Sequence, residues 1–223
     1  MKIPEVTVKR LNEVLGILEH LQTKNIKRVS SSMLGKHLGV SSNIVRKDIS
    51  YLLDQLPDNL IGESNLIGEP GAGYSVDKLK NSIKEALGLT RTRKTCIVGL
   101  GKLGLAILNH PMLAEKGFEV VAGFEKSINK IETIKTPVNI YPSYMTEEIV
   151  KEKKIEIGII AVPEDEAEDV KKSLIRGGIK GILNFSSCII SSDNEEVIIL
   201  NLDIISNLRF ISALLQVCTD YKK

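Results

Sequence analysis

The sequence has no tryptophan, and five tyrosines and four phenylalanines are its whole aromatic content in 223 residues. Binders of single-stranded nucleic acid stack bases on aromatic faces, so a chain this poor in rings is a bad match for that class. Its three cysteines, Cys96, Cys188 and Cys218, are far apart and form no C-x-x-C pair. An odd, dispersed set fits reduced thiols and excludes a disulfide scaffold or a cysteine-rich zinc site. Long apolar runs are missing too. Residues 157–162 and 197–200 hold the longest, far short of the ~18 residues a membrane span needs. The opening MKIPEVTVKRLNEVL is charged and has no apolar signal core, so the expected location is cytoplasmic, with no membrane partner.

Hydrophobic residues make up 43% of the chain and charged residues 26%. That is an ordinary globular balance and excludes a disordered or fibrous chain. The length allows one large domain or two small ones. The net charge is only +2, but it is unevenly placed: residues 1–53 hold nine Lys and Arg against four acids, a net +5, and residues 81–223 hold equal numbers. A basic N-terminal piece on a neutral body suits a polyanion partner.

Pro4 opens a helix in which Leu11, Val14, Leu15, Leu18 and Leu21 recur at helical spacing to about residue 23. The run Ser30-Ser31-Ser32 offers N-caps for a short helix with Met33, Leu34 and Leu38 inward, stopped by Gly39. Ser41 and Ser42 cap a third helix whose expected inner face is Ile44, Val45, Ile49, Leu52 and Leu53. Residues 57–75, with their glycines and prolines, read as loop and hairpin, and 76–87 as another helix. The polar stretch 88–94 is the expected linker. Strands are then expected at 95–98, 118–124, 138–141, 155–162, 179–185 and 197–201. Helices are expected at 101–109, 147–153, 164–176 and 204–221. Such alternation means a doubly wound parallel sheet.

A short helix, a glycine turn and a longer helix with polar outward positions is the helix-turn-helix layout. The outward groups of the third helix are Ser41, Ser42, Asn43, Arg46, Lys47, Ser50 and Tyr51. Arg can read guanine bidentately, Asn can read adenine, and Ser and Lys suit phosphates. The hairpin that follows would be the wing. A three-helix bundle that binds protein is the blander alternative.

Residues 95–104, TCIVGLGKLG, place G-x-G-x-x-G between a strand and a helix, the context that gives this motif meaning. Gly99 allows the tight turn, Gly101 lets the backbone approach a pyrophosphate, and Gly104 lets helix and strand pack closely; Leu100, Lys102 and Leu103 complete the loop. Glu125 ends the second strand 21 residues past Gly104, where an acid binds the adenosine ribose and repels a 2′-phosphate. NAD(H) is therefore expected over NADP(H), although Lys126 beside it could take a 2′-phosphate. Strand carboxyl ends at Ala161-Val162-Pro163 and Asn184-Phe185-Ser186-Ser187 are candidates for the nicotinamide pocket. A glycine turn with no ligand is the plain alternative.

A dehydrogenase needs an acid or base near the nicotinamide. His20 and His37 lie in the basic helices, and His110 ends the fingerprint helix away from the strand carboxyl ends. Cys188 follows a strand without an evident base, and about 130 residues past the linker leave no room for a substrate domain. A cofactor site without chemistry, joined to a DNA-binding module, reads as a sensor and not as an enzyme.

At IPE 3–5, VSS 29–31, VRKDISY 45–51, GAGY 71–74, GLGKLG 99–104, GIKGILNF 178–185 and NLD 201–203 the chain resembles the Rex redox-sensing transcriptional repressors. The resemblance implies a homodimer with winged-helix N-domains (1–87) and Rossmann NAD(H)-binding C-domains (95–203). It also implies a dimerising last helix (204–223) swapped between subunits. NADH would release a palindromic double-stranded operator, and NAD+ would permit binding. By the same resemblance Arg10, Ser31, Gly73 and Tyr74 join the DNA face, and Ile204 lies near the nicotinamide. Asp203 would couple cofactor to domain position. Its usual Arg and Tyr partners are replaced here by Gly16 and His110, which implies an altered, weaker NADH response. The same Rossmann subtype also resembles CoA-binding domains, so a CoA-like ligand is one alternative, and a small NAD-dependent oxidoreductase or a vestigial ligand site are others.

Overall fold

The computed structural model describes residues 3–53, 68–69 and 73–220. The chain divides into two compact units, Met1–Arg91 and Thr92–Lys223.

In the first unit, α1 (Glu5–Thr23) buries Leu11, Val14, Leu15, Leu18 and Leu21, the stripe its spacing predicts. After β1 (Arg28–Val29), Ser30 caps α2 (Ser31–Leu38): its hydroxyl accepts a hydrogen bond from Met33 N at 3.1 Å. Gly39, at φ 67°, ends α2 in the left-handed conformation. Gly35 lets α2 lie close to the turn, since a Cβ there would stand 2.6 Å from the Val40 carbonyl oxygen. Next comes α3 (Ser42–Leu53), with Val45, Asp48, Ile49 and Leu52 buried. Ile44, expected inward, is exposed; it lies about 100° around the helix from Val45, off the stripe that faces α1.

The expected hairpin is present as β2 (Gly68–Glu69) and β3 (Gly73–Ser75), while the rest of the expected loop, 57–67 and 70–72, lies outside the described residues. β3 pairs antiparallel with β2 on one side and with β1, not foreseen from the sequence, on the other. With α4 (Val76–Ala86), these elements close one apolar core. Three helices with a small antiparallel sheet form the winged-helix layout. The expected linker is shorter than 88–94. Leu89 packs on this core and Arg93 opens the next strand, because an apolar side chain buries itself even in a polar stretch.

The second unit is a parallel sheet of six strands: β4 (Arg93–Val98), β5 (Phe118–Glu125), β6 (Ile140–Pro142), β7 (Ile157–Ile160), β8 (Gly181–Asn184) and β9 (Ile198–Asn201). Their order is β6-β5-β4-β7-β8-β9 and every pair is parallel. The direction of progression reverses between β4 and β7, which opens a crevice at the strand carboxyl ends. Helix α5 (Lys102–Leu108) covers one face. Two small helices, α6 (Met112–Glu115) and α7 (Ile128–Thr133), are too short to leave a period in the sequence. Helices α8 (Thr146–Lys153) and α9 (Glu164–Arg176) cover the other face through Ile149, Val150, Ala167 and Leu174. Cys96 lies in this core, where burial pushes its thiol up to about 12 and keeps it neutral. The last helix, α10 (Ile204–Asp220), carries Leu208, Ile211, Leu214 and Leu215 as an exposed apolar stripe. Among the described residues no helix is long and apolar enough to cross a membrane.

Candidate dinucleotide site and nucleic-acid interface

A cavity of about 650 Å³ opens where the sheet order reverses, lined by the fingerprint loop, the end of β5 and the exits of β7 and β8. Its floor depends on glycine. Gly99 has φ 92°, and a Cβ there would stand 2.6 Å from the Ala161 carbonyl oxygen. A Cβ on Gly104 would stand 1.9 Å from the Gly99 carbonyl oxygen, so α5 packs onto its own loop only as glycine allows. A Cβ on Gly101 would meet nothing within 4 Å, because that face borders the cavity. Lys102, Leu103, Ala161, Val162 and Pro163 line the cavity, as expected. Leu100 does not: its side chain is buried among Ile97, Leu108 and Ile159, and its backbone N–H is taken by Glu125.

Glu125 is buried and lies on the cavity wall. Its Oε1 accepts from the backbone N–H groups of Lys126 at 2.9 Å and Ser127 at 3.0 Å. Its Oε2 accepts from Leu100 N at 3.2 Å, and Lys130 Nζ lies 3.7 Å away. The carboxylate thus ties the end of β5 to the fingerprint loop and retains acceptor capacity toward the cavity. Lys126 turns across the mouth: its Nζ bonds Glu166 Oε1 at 2.9 Å, and that partner raises its pKa. The cation that could have taken a 2′-phosphate is therefore already paired. No motif marks Lys130 or Glu166 in the sequence, since tertiary folding alone brings α7 and α9 to this rim.

Two cofactor candidates, Asn184 and Ile204, stand off the lining of the main cavity. Asn184 is fully buried and its side chain is committed within the fold. Its Nδ2 donates to the Cys188 carbonyl and to Asn201 Oδ1, both at 2.8 Å, and its Oδ1 accepts from Ser186 N at 3.0 Å and Ser186 Oγ at 2.6 Å. It shapes the loop that carries Ser186. Replacing it by Ala leaves several buried partners unpaired, at about 2–3 kcal/mol. A melting point lower by about 4–10 °C in calorimetry is the expected result. Ile204 lines a neighbouring cavity of about 450 Å³ with Phe185, Ser186 and Ser187, not the main one. Cys188 Sγ lies 3.3 Å from Ser186 Oγ and donates to the Glu164 carbonyl oxygen at 3.7 Å.

The proposed coupling residues hold local roles. Asp203 Oδ1 accepts from Ser206 N at 3.0 Å and caps α10, and His110 Nδ1 accepts from Met112 N at 3.3 Å. Gly16 is exposed on α1, with open space where a side chain would stand.

In the first unit, Ser41, Asn43, Arg46, Lys47 and Ser50 are exposed and Ser42 and Tyr51 are half-buried. Arg46 is held by Ser31 Oγ at 2.9 Å, Ser42 Oγ at 3.3 Å and Asn43 Oδ1, so its planar fork is fixed at the head of α3. Lys47 Nζ lies 5.9 Å from the Tyr51 ring centroid. Tyr74, on β3, is half-buried; burial raises its pKa while the nearby Arg46 charge lowers it. Gly73 must be glycine-like, with φ 73° and a would-be Cβ 2.6 Å from the Val29 carbonyl oxygen. Arg10 does not join this surface. Its Nε and Nη2 fork onto Asp48 Oδ2 and Oδ1 at 2.6 and 2.7 Å. The spacing of Asp48 from Val45 and Leu52 puts a charge on the core face, which requires a partner.

Against known proteins, residues 2–50 match a family model described as "Putative DNA-binding protein N-terminus", and residues 90–188 match one described as "CoA binding domain". The redox-sensing transcriptional repressor Rex of Carboxydothermus hydrogenoformans is 36% identical over 211 residues, covering 95% of each chain. The chain belongs to the Rex family. Rex 1 of Thermotoga maritima is 34% identical over 212 residues, with 95% of each chain covered. Among solved structures, the Rex-family repressor RSP in complex with NAD+ and operator DNA superposes with a TM-score of 0.81 at 29% identity, covering 100% of this chain and 96% of that one. RSP in complex with NADH matches with the same TM-score at 28% identity.

Proposed function

We propose that this protein is a redox-sensing transcriptional repressor of the cytoplasm, not an enzyme: a homodimer that binds a palindromic operator and releases it when NADH occupies the Rossmann unit. The observation that carries the reading is the coexistence, in one Rex-family chain, of a winged helix bearing exposed Arg46 and Lys47 and a glycine-floored cavity with a buried acid at the end of β5. The residues fit a dinucleotide. Gly101 leaves room for a pyrophosphate, Glu125 would hold the ribose, and the exits of β7 and β8 would flank the nicotinamide end. Bound cofactor supplies the redox signal; the chain supplies the binding surface and its coupling to DNA. The paired state of Lys126 supports NAD(H) over NADP(H). The exposed apolar stripe of α10 supports a dimer, whose two recognition helices suit an inverted repeat.

Operator release is a linkage: the reduced cofactor must bind the DNA-free state more tightly than the DNA-bound one. A 100-fold shift takes about 2.7 kcal/mol. With Gly16 and His110 offering fewer partners to Asp203, the shift expected here is smaller, roughly threefold: two lost hydrogen bonds at about 1 kcal/mol each leave about 0.7 kcal/mol of the coupling. The test is anisotropy of a labelled palindromic duplex, selected from a randomised half-site library and titrated at fixed salt, because salt alone moves such affinities. Release by NADH and not by NAD+ is expected. The family match to CoA binding makes CoA the competitor ligand; release by CoA and not by NADH would replace the redox reading.

A further inference from the structure

We propose that the partly buried cluster of Thr7, Arg10 and Asp48 is the positioning device of the recognition helix: it fixes the rotation of α3 against α1 and thereby sets how sharply the protein tells its operator from other DNA. The inference rests on the DNA-binding reading above.

Asp48 is 4% exposed, and Thr7 is the other buried polar side chain among the described residues of the first unit. Burying a charge in a small apolar core costs desolvation, and apolar replacements of such pairs are often neutral or stabilising. Stability is therefore a poor account of why a carboxylate faces the core of α3. Geometry gives a better one. Asp48 Oδ1 takes Thr7 Oγ1 at 2.9 Å and Arg10 Nη2 at 2.7 Å, its Oδ2 takes Arg10 Nε at 2.6 Å, and Arg10 Nη2 reaches Thr7 Oγ1 at 3.4 Å. Every partner lies on α1, 38 or more residues away in sequence. Outside the exposed Arg46–Ser31 hydrogen bond to α2, the core contacts of α3 run through Val45, Ile49 and Leu52 and are apolar. Apolar contact has no direction, so those side chains tolerate a helix that rolls or slides. A two-pronged guanidinium–carboxylate contact does not: it fixes a plane as well as a distance.

Asp48 follows Arg46 and Lys47 on the same helix, so the cluster controls the rotation at which those groups are presented. Base-edge recognition needs groups placed within about 0.5 Å and 10–20°, and bidentate readout falls away when the fork is turned. Phosphate contacts are more forgiving and carry no sequence information. Loosening α3 should therefore lower specific binding and leave non-specific binding in place.

The cluster can be removed without changing net charge, because Arg10→Met and Asp48→Leu cancel, and Thr7→Val removes the remaining hydroxyl. The salt-dependent, non-specific term should then stay as it was. The experiment compares affinities of the full-length wild type and this triple variant for the selected palindrome and for a scrambled duplex of equal length, with thermal melting alongside. The expected result is a melting point at or above wild type, unchanged scrambled-duplex affinity, and a specificity ratio reduced tenfold or more. A folded triple variant with the wild-type ratio overturns the proposal and leaves the cluster a merely structural contact. If the triple variant does not fold, Arg10→Lys gives the answer: it keeps the charge and loses the fork, so a lowered ratio supports the positioning role and an unchanged one overturns it. A wild type that does not prefer the palindrome over the scrambled duplex defeats the DNA-binding reading itself, which the wild-type arm alone reveals.

Discussion

Gly104→Ala and Gly101→Ala, the same addition of one methyl group three residues apart, are expected to separate the fold from its ligand. At Gly104 the new Cβ would stand 1.9 Å from the Gly99 carbonyl oxygen. That neighbour is backbone in the tight turn between β4 and α5, so the helix must move off the sheet. Overpacking of this kind costs about 3 kcal/mol or more, and the fingerprint loop is distorted with it. Thermal melting should fall by several degrees, and NADH affinity should drop below detection. At Gly101 the Cβ meets nothing within 4 Å of the protein. The fold should keep its melting point, yet the methyl group fills the space through which a pyrophosphate approaches the backbone. A loss of NADH affinity of roughly 10- to 100-fold is expected, the penalty of about 1–3 kcal/mol for one misplaced heavy atom in a packed site. NADH fluorescence reads both variants directly, since the protein has no tryptophan. Full affinity in Gly101→Ala would mean that the ligand does not cross the loop at that glycine.

The second large effect belongs to the recognition helix. Arg46 is exposed, and its guanidinium is pre-set by Ser31, Ser42 and Asn43. An arginine so held gives up little rotamer freedom when it meets a base edge, and it can bond guanine through two donors. Arg46→Ala should cost about 1–3 kcal/mol of operator affinity and relax the sequence preference at one position of each half-site. Lys47→Ala should weaken all duplexes alike and lower the salt slope by about one. Anisotropy titrations at several salt concentrations, with the palindrome and with single-base variants, distinguish the two. Equal, sequence-independent losses from both substitutions would make Arg46 another phosphate contact.

Local signals in the chain were strong enough to determine much of this. The helical spacing of Leu11 to Leu21, the left-handed stop at Gly39 and the strand-to-helix setting of Gly99, Gly101 and Gly104 depend on near neighbours, and each appears in the structure where it was expected. So does the alternation that makes the sheet parallel. Glu125 was legible as well, because its distance from the glycines is set by the length of one helix and one strand.

What the sequence could not determine are the partners of buried polar groups, because these join residues that only tertiary folding brings together. Asp48 looks like one more charged residue of a basic helix until α1 places Arg10 and Thr7 against it. Arg10 then leaves the expected DNA surface, since a buried carboxylate without a cation would cost more than a lost phosphate contact. Asn184 looked like a ligand group at a strand end, and the turn back through Cys188 and Asn201 uses its whole amide. Lys126 was free in the sequence and is paired once α9 delivers Glu166. Local periodicity and turn chemistry therefore determined the elements and the cofactor floor. The tertiary structure decided which polar side chains remain free to meet a ligand, because a buried or crowded polar group takes the nearest partner the fold supplies.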